Sequence, residues 1–167
     1  FVSPEMRRDF GGAAGNIGYN LKLLGGDPLL MGTVGHDFGQ YRDWLHQCGI
    51  VDTFVREIAE LFTAQCVITT DLDNNQLTSF HPGAMGEAHT SRVAEAQDIS
   101  LAIVAPDGKQ AMIQHAADLS SLNIPFMFDP GQNLPLFSRN ELLQCIDQAD
   151  WLILNNYESN LLLSITQ

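Results

Sequence analysis

"ISLAIVAPDGKQAMIQHAADLSSLNIPFMFDPG", residues 99–131, sets the fold class. "ISLAIVAP" is a short apolar run suited to a buried strand, and "IPFMFDPG" is a second. Between them Met112, Ala116 and Leu119 recur on one helical face. Strand, helix, strand in that order is a βαβ unit, and the rhythm continues in both directions. Downstream, Ser138 followed three residues later by Glu141 forms a capping box that opens a helix from Arg139 to Gln148. "ADWLILNN" is then a strand and "YESNLLLSI" begins a helix. Upstream, Ile17, Leu21 and Leu24 share a helical face that ends at Gly25-Gly26, and "PLLMGTVG" reads as a buried strand. Phe38, Tyr41, Leu45 and Cys48 form another helical face, stopped by Gly49. "TAQCVITTD" and "QLTSFHP" flank the polar turn "LDNN" and read as an antiparallel hairpin. The expected class is α/β, a mostly parallel sheet with helices on both faces, in one domain without linker or repeat.

Composition narrows the function classes. The chain has 167 residues, 45% of them hydrophobic, enough to bury a core. A net charge of −12 argues against a nucleic-acid partner, because backbone binding rests on clustered Lys and Arg. No apolar run reaches membrane-spanning length and no basic apolar leader is present, so a cytoplasmic, membrane-free protein is expected. Cys48, Cys66 and Cys145 are an odd count at wide spacing, expected as reduced and mostly buried thiols. The five histidines form no metal-ligand pattern. "DLDNNQ" starts like a calcium loop, but Gln76 stands where Gly is needed and Pro82 where Glu is needed.

In open α/β sheets ligands lie at the carboxyl ends of the strands. That rule singles out "HPGAMGE" after Phe80, "DPGQN" from Asp129 and "NNYE" from Asn155, each of which ordinary turn chemistry also explains. "FGGAAGNIGYNLKLLGG", residues 10–26, holds six glycines yet fits neither a dinucleotide fingerprint nor a Walker A loop. Gly11-Gly12 allow close backbone approach, while Gly15 and Gly18 allow tight helix packing. Asn16 can cap that helix or hydrogen-bond a ligand hydroxyl.

These residues resemble the signature of the ribokinase-like (PfkB) carbohydrate kinases. Gly11-Gly12, Gly15-Asn16, Leu24-Gly25-Gly26 and Val34-Gly35-His36-Asp37-Phe38-Gly39 follow the family's order, and Asn155-Asn156-Tyr157-Glu158 matches its N-x-x-E motif. "YRDWL", "SFHPGAM" and "DPGQN" are similar to bacterial adenosine kinases in particular. The resemblance implies a three-layer α/β/α core over residues 11–167 with residues 1–10 as a remnant of a small β lid. It implies ATP and Mg²⁺ as cofactors, a nucleoside (adenosine) or sugar as substrate, and a homodimer through the lid. It assigns Gly12 and Asn16 to the sugar hydroxyls, Phe80 to a stack on the base, and Gln132 and Asn133 to the nucleoside loop. Asn155 and Glu158 would lie near the triphosphate, Glu158 acting on Mg²⁺ through water.

The resemblance covers the chain but only the middle of a family member. The first core strand with its sugar-binding Asp and the G-A-G-D loop with the general base have no counterpart in this sequence. Residues 1–167 alone are therefore expected to be inactive. The expected function is phosphoryl transfer from ATP to a nucleoside 5′-hydroxyl. The alternatives are another sugar kinase of the family or a non-catalytic remnant.

Overall fold

The computed structural model describes residues 3–166. Helix α1 (Ala13–Leu23) leads to strand β1 (Met31–Gly35), helix α2 (Gly39–Gln47) and strand β2 (Phe54–Ile58). Strands β3 (Gln65–Thr70) and β4 (Gln76–His81) follow, then a 3₁₀ segment over Gly83–Thr90. Strand β5 (Ala102–Val104), helix α3 (Lys109–Ser121) and strand β6 (Phe126–Phe128) form the predicted βαβ unit. A 3₁₀ turn over Gly131–Leu136, helix α4 (Arg139–Gln148), strand β7 (Trp151–Leu152) and helix α5 (Asn156–Thr166) complete the order.

The parallel strands form two sheets rather than one. β1 pairs with β2, Met31 opposite Phe54, and β5, β6 and β7 pair in that order, Ala102 opposite Phe126 and Met127 opposite Trp151. Among the described residues, β1 and β5 each keep an unpaired edge. The third sheet is the antiparallel hairpin β3–β4, in register from Gln65–His81 to Thr70–Gln76. Its turn is set by the Asp71 carboxylate, which accepts the N–H groups of Asp73 and Asn75, while Asn74 takes a left-handed φ of 63°.

The main core lies around β6. Phe126 and Phe128, two residues apart and so on one face of the strand, are fully buried with Met112, Ala116 and Leu119 of α3 and Leu142 and Cys145 of α4. The predicted face of α3 is thus the buried one. The Ser138–Glu141 capping box is present in both directions, the Ser138 N–H reaching Glu141 Oε2 at 2.7 Å. A second cluster, Leu30, Val34, Phe38, Leu45 and Ile50, joins β1 to α2. Met31 packs against the main core and so links the two.

Three expectations differ. Residues 3–10 carry no strand, and Phe1 and Val2 of the expected lid remnant lie outside the described residues. The apolar face of α1 is open, with Leu21, Leu23 and Leu24 exposed, because the helix meets the body through Gly18. A Cβ on Gly18 would lie 2.5 Å from Leu30 Cδ2, so the missing side chain, not an apolar ridge, makes the contact. Cys145 is buried, but Cys66 is exposed because it sits on a hairpin with no layer over either face.

Candidate functional site: loops at the carboxyl ends of β5, β6 and β7

Because β5, β6 and β7 are parallel, the loops that follow them open on one end of the sheet. After β5 comes Asp107, after β6 Asp129 to Asn133, and after β7 Asn155 to Glu158. The first two loops are fastened together. Asn133 Nδ2 donates to the carbonyl of Asp107 at 2.5 Å and also approaches Met112 Sδ at 3.6 Å. Gly131, at φ 48°, leaves no room for a Cβ against Pro106 Cγ, 2.6 Å away. Gln132 beside them is exposed. Asn133 is therefore tied into the scaffold, and Gln132 is the member of the pair that faces outward.

Two carboxyls in this group are held above the usual Asp range. Burial pushes Asp107 up, against the lowering influence of the Gly108 N–H, which donates to Asp107 Oδ1 at 2.7 Å, and of nearby His115. Burial also raises Asp129, and the charge of Glu158 adds to it. Asp129 opens a segment that the strand-end rule singles out, but the sequence assigns a role to neither Asp. The signal was available, since each is the first acidic residue after a short apolar strand.

The N-x-x-E segment closes on itself. Glu158 Oε2 accepts the Asn155 N–H at 2.9 Å, Glu158 Oε1 accepts from Asn155 Nδ2 at 2.7 Å, and the Glu158 N–H donates to Asn155 Oδ1 at 2.9 Å. This reciprocal cap supplies the first turn of α5 with partners and puts a carboxylate at the positive end of the helix.

The other predicted residues lie on separate elements. Gly12, at φ 90°, is the residue that opens α1, and Asn16 lies one turn inside that helix. Asn16 is thus no cap: its side chain is exposed and makes no hydrogen bond to another described residue, while its backbone N–H donates to the Gly12 carbonyl at 3.0 Å. Gly15 passes directly over the Tyr41 hydroxyl, which donates to the Gly11 carbonyl at 2.9 Å, and Phe10 stacks on the Tyr41 ring at 4.6 Å. Phe80 stands 54% exposed on β4, paired across the hairpin with Cys66. No hydrogen bond among the described residues joins Gly12, Asn16 or Phe80 to the β5–β7 loops.

Residues 3–167 match the pfkB family of carbohydrate kinases. The chain belongs to that family. It is 32% identical over 165 residues to a nucleoside kinase of Methanocaldococcus jannaschii, a match that covers 95% of this chain and 54% of that protein. A nucleoside kinase of Methanothermobacter thermautotrophicus is 30% identical over 161 residues, covering 92% of this chain and 51% of that one. Among solved structures, the nucleoside kinase of Burkholderia thailandensis in complex with inosine superposes with a TM-score of 0.94 at 50% identity. That superposition covers 99% of this chain and 56% of the Burkholderia chain. The chain thus spans about half the length of the relatives it matches.

Proposed function

We propose that this chain supplies the acceptor side of an ATP-dependent kinase that transfers the γ-phosphoryl group to the 5′-hydroxyl of a nucleoside, adenosine first among them. The observation that carries the reading is the closeness in sequence and fold to a nucleoside kinase that holds inosine. The free amide of Asn16 at the start of α1 supports it, because a donor and acceptor pair one turn inside a helix suits a sugar diol. The Gly12 backbone lets the sugar approach without a Cβ in the way. Phe80 offers an exposed ring for the base, and Gln132 a free amide beside the Asn133 anchor.

ATP enters as phosphoryl donor, with Asn155 and Glu158 at the triphosphate. The donor set fits Mg²⁺ held through water. Each Glu158 oxygen accepts one hydrogen bond from Asn155 and keeps a further lone pair, and the neighbouring Asp129 is a second hard oxygen ligand type. When bound, the ion would neutralise charge developing on the transferred group. Asn155 holds the carboxylate in one orientation, and α5 presents its positive end beside it.

For the homodimer expected through the lid at residues 1–10, we propose the β3–β4 hairpin as a further contact, on the strength of its two exposed faces. Cys66, Ile68 and Phe80 lie on one, Val67 and Leu77 on the other, and Ile68, Phe80, Val67 and Leu77 are all more than half exposed. An isolated two-stranded hairpin is marginal in water, so one face for the base and one for a second copy accounts for both. No described helix is long and apolar enough to cross a membrane.

The test is ATP-dependent phosphorylation of adenosine, inosine, ribose and fructose by the product of the complete reading frame. Transfer to the nucleosides well above the free sugars is expected. Preference for ribose or fructose would make it another sugar kinase of the family, and transfer to none would make it a non-catalytic member.

A further inference from the structure

Asp37, in the Val34–Gly39 segment after β1, has no role in the proposed chemistry, yet it is among the most heavily engaged carboxylates of the chain. Its Oδ1 accepts the backbone N–H of Thr63 at 2.7 Å, and its Oδ2 accepts from Gln65 Nε2 at 2.8 Å. Desolvation alone would raise its pKa. The hydrogen bonds from Thr63 and Gln65 outweigh that and hold it below the usual Asp range. Thr63 and Gln65 are the root of the hairpin's first strand.

The root is tied to the segment after β1 by several further contacts. The Thr63 hydroxyl accepts the Gly35 N–H at 3.0 Å, and the Leu61 carbonyl accepts the His36 N–H at 3.1 Å. The His36 ring lies 4.5 Å from the Phe62 ring. The hairpin's second strand returns to the same point, where the Ala84 N–H donates to the Phe62 carbonyl at 2.8 Å. Thr33 Oγ1 in turn donates to the Ala84 carbonyl at 2.5 Å. Gly35 and Gly83, the latter at φ 48°, have no space for a Cβ, because the Phe62–Thr63 backbone lies against both. Both ends of the hairpin are thus anchored at one place while its two strands are exposed along their whole length.

We infer that Asp37 is a positioning residue: through Thr63 and Gln65 it fixes the hinge of the β3–β4 hairpin and so sets where Phe80 stands relative to the sheet. The consequence for binding rests on the nucleoside reading above. The hinge itself does not.

The test uses Asp37→Ala, Asp37→Asn and Gln65→Ala in the complete protein, with hydrogen exchange and nucleoside kinetics read side by side. Asp37→Ala should speed exchange of the Thr63 amide about tenfold, the factor that one hydrogen bond to a charged group contributes at the low end. Exchange of the Phe126 and Phe128 amides should stay unchanged, and nucleoside KM should rise several-fold with kcat held. Asp37→Asn keeps an acceptor for Thr63 and should recover part of both effects. Gln65→Ala, which leaves the Thr63 bond in place, gives a milder version if Asp37→Ala fails to fold. Unchanged Thr63 exchange overturns the inference, as does faster exchange spread evenly over the core, which would mean simple destabilisation. If the wild type phosphorylates no nucleoside, the functional reading falls and the exchange data still decide the hinge.

Discussion

Replacing Gly35 with Ala should damage this protein far more than the same change three residues earlier at Gly32. A Cβ on Gly35 would fall inside the van der Waals envelope of Leu61 O, Phe62 C and Thr63 N, all backbone atoms that no rotamer change can move. A Cβ on Gly32 meets nothing within 4 Å. To admit the methyl group, the Leu61–Thr63 strap must lift away. That puts at risk His36 N–H to Leu61 O at 3.1 Å, Gly35 N–H to Thr63 Oγ1 at 3.0 Å and Thr63 N–H to Asp37 at 2.7 Å. At about 1 kcal/mol for each neutral bond and about 2 for the charged one, full loss is about 4 kcal/mol. The stiffer unfolded chain offsets about 0.5–1 kcal/mol, leaving a net loss of about 3 kcal/mol. Gly32→Ala should instead be neutral or stabilising by about 0.5 kcal/mol. Urea unfolding of both variants against wild type reads the difference, expected as a midpoint separation of about 1–2 M. A difference below about 1 kcal/mol between the two variants refutes the strap as a rigid obstacle.

Phe126→Ala, at the fully buried centre of the main core, should lose about 3–5 kcal/mol in the same urea assay. The Ser138 N–H and then Lys109 hold Glu141 down at about 2, so its stabilisation is complete above the ordinary value of 4.5 and is lost as pH falls toward about 2. The gap between wild type and Glu141→Gln should therefore shrink over that window in urea midpoints taken at successive pH values. Asp107 has the opposite sign: burial raises its folded pKa above 3.8, so its ionisation opposes folding once pH exceeds both values. Asp107→Asn, which keeps an acceptor for the Gly108 N–H, should be more stable than wild type at pH 7 and no different near pH 3.

What the sequence made legible was local chemistry repeated in order. The apolar face of α3, the Ser138–Glu141 cap and the hairpin with its Asp71–Asn75 turn each rest on residues within a few positions of one another, so periodicity and turn chemistry suffice. β2 escaped notice because "FVREI" carries Arg56 and Glu57 outward and shows no clean alternation. The division into two parallel sheets depends on which strands are neighbours, which no local pattern encodes. In the site, the family signature names Asn155 and Glu158 together but says nothing of their mutual bonding. The bond from the Asn133 amide to the Asp107 carbonyl, 26 positions away, is a contact only the folded chain reveals. Asp37 read as part of a motif without a task, because Thr63 and Gln65 are likewise distant in sequence.

The reciprocal bonds between Asn155 and Glu158 bear on how such a chain drifts over evolutionary time. A residue kept for catalysis alone is free to change once activity no longer matters. Here the same four-residue segment nucleates α5, so substitution at either end is penalised by folding whether or not a phosphoryl group is ever transferred. The motif should therefore persist in descendants that have lost the reaction, and its survival in a sequence reports a helix that still begins correctly before it reports an enzyme that still works.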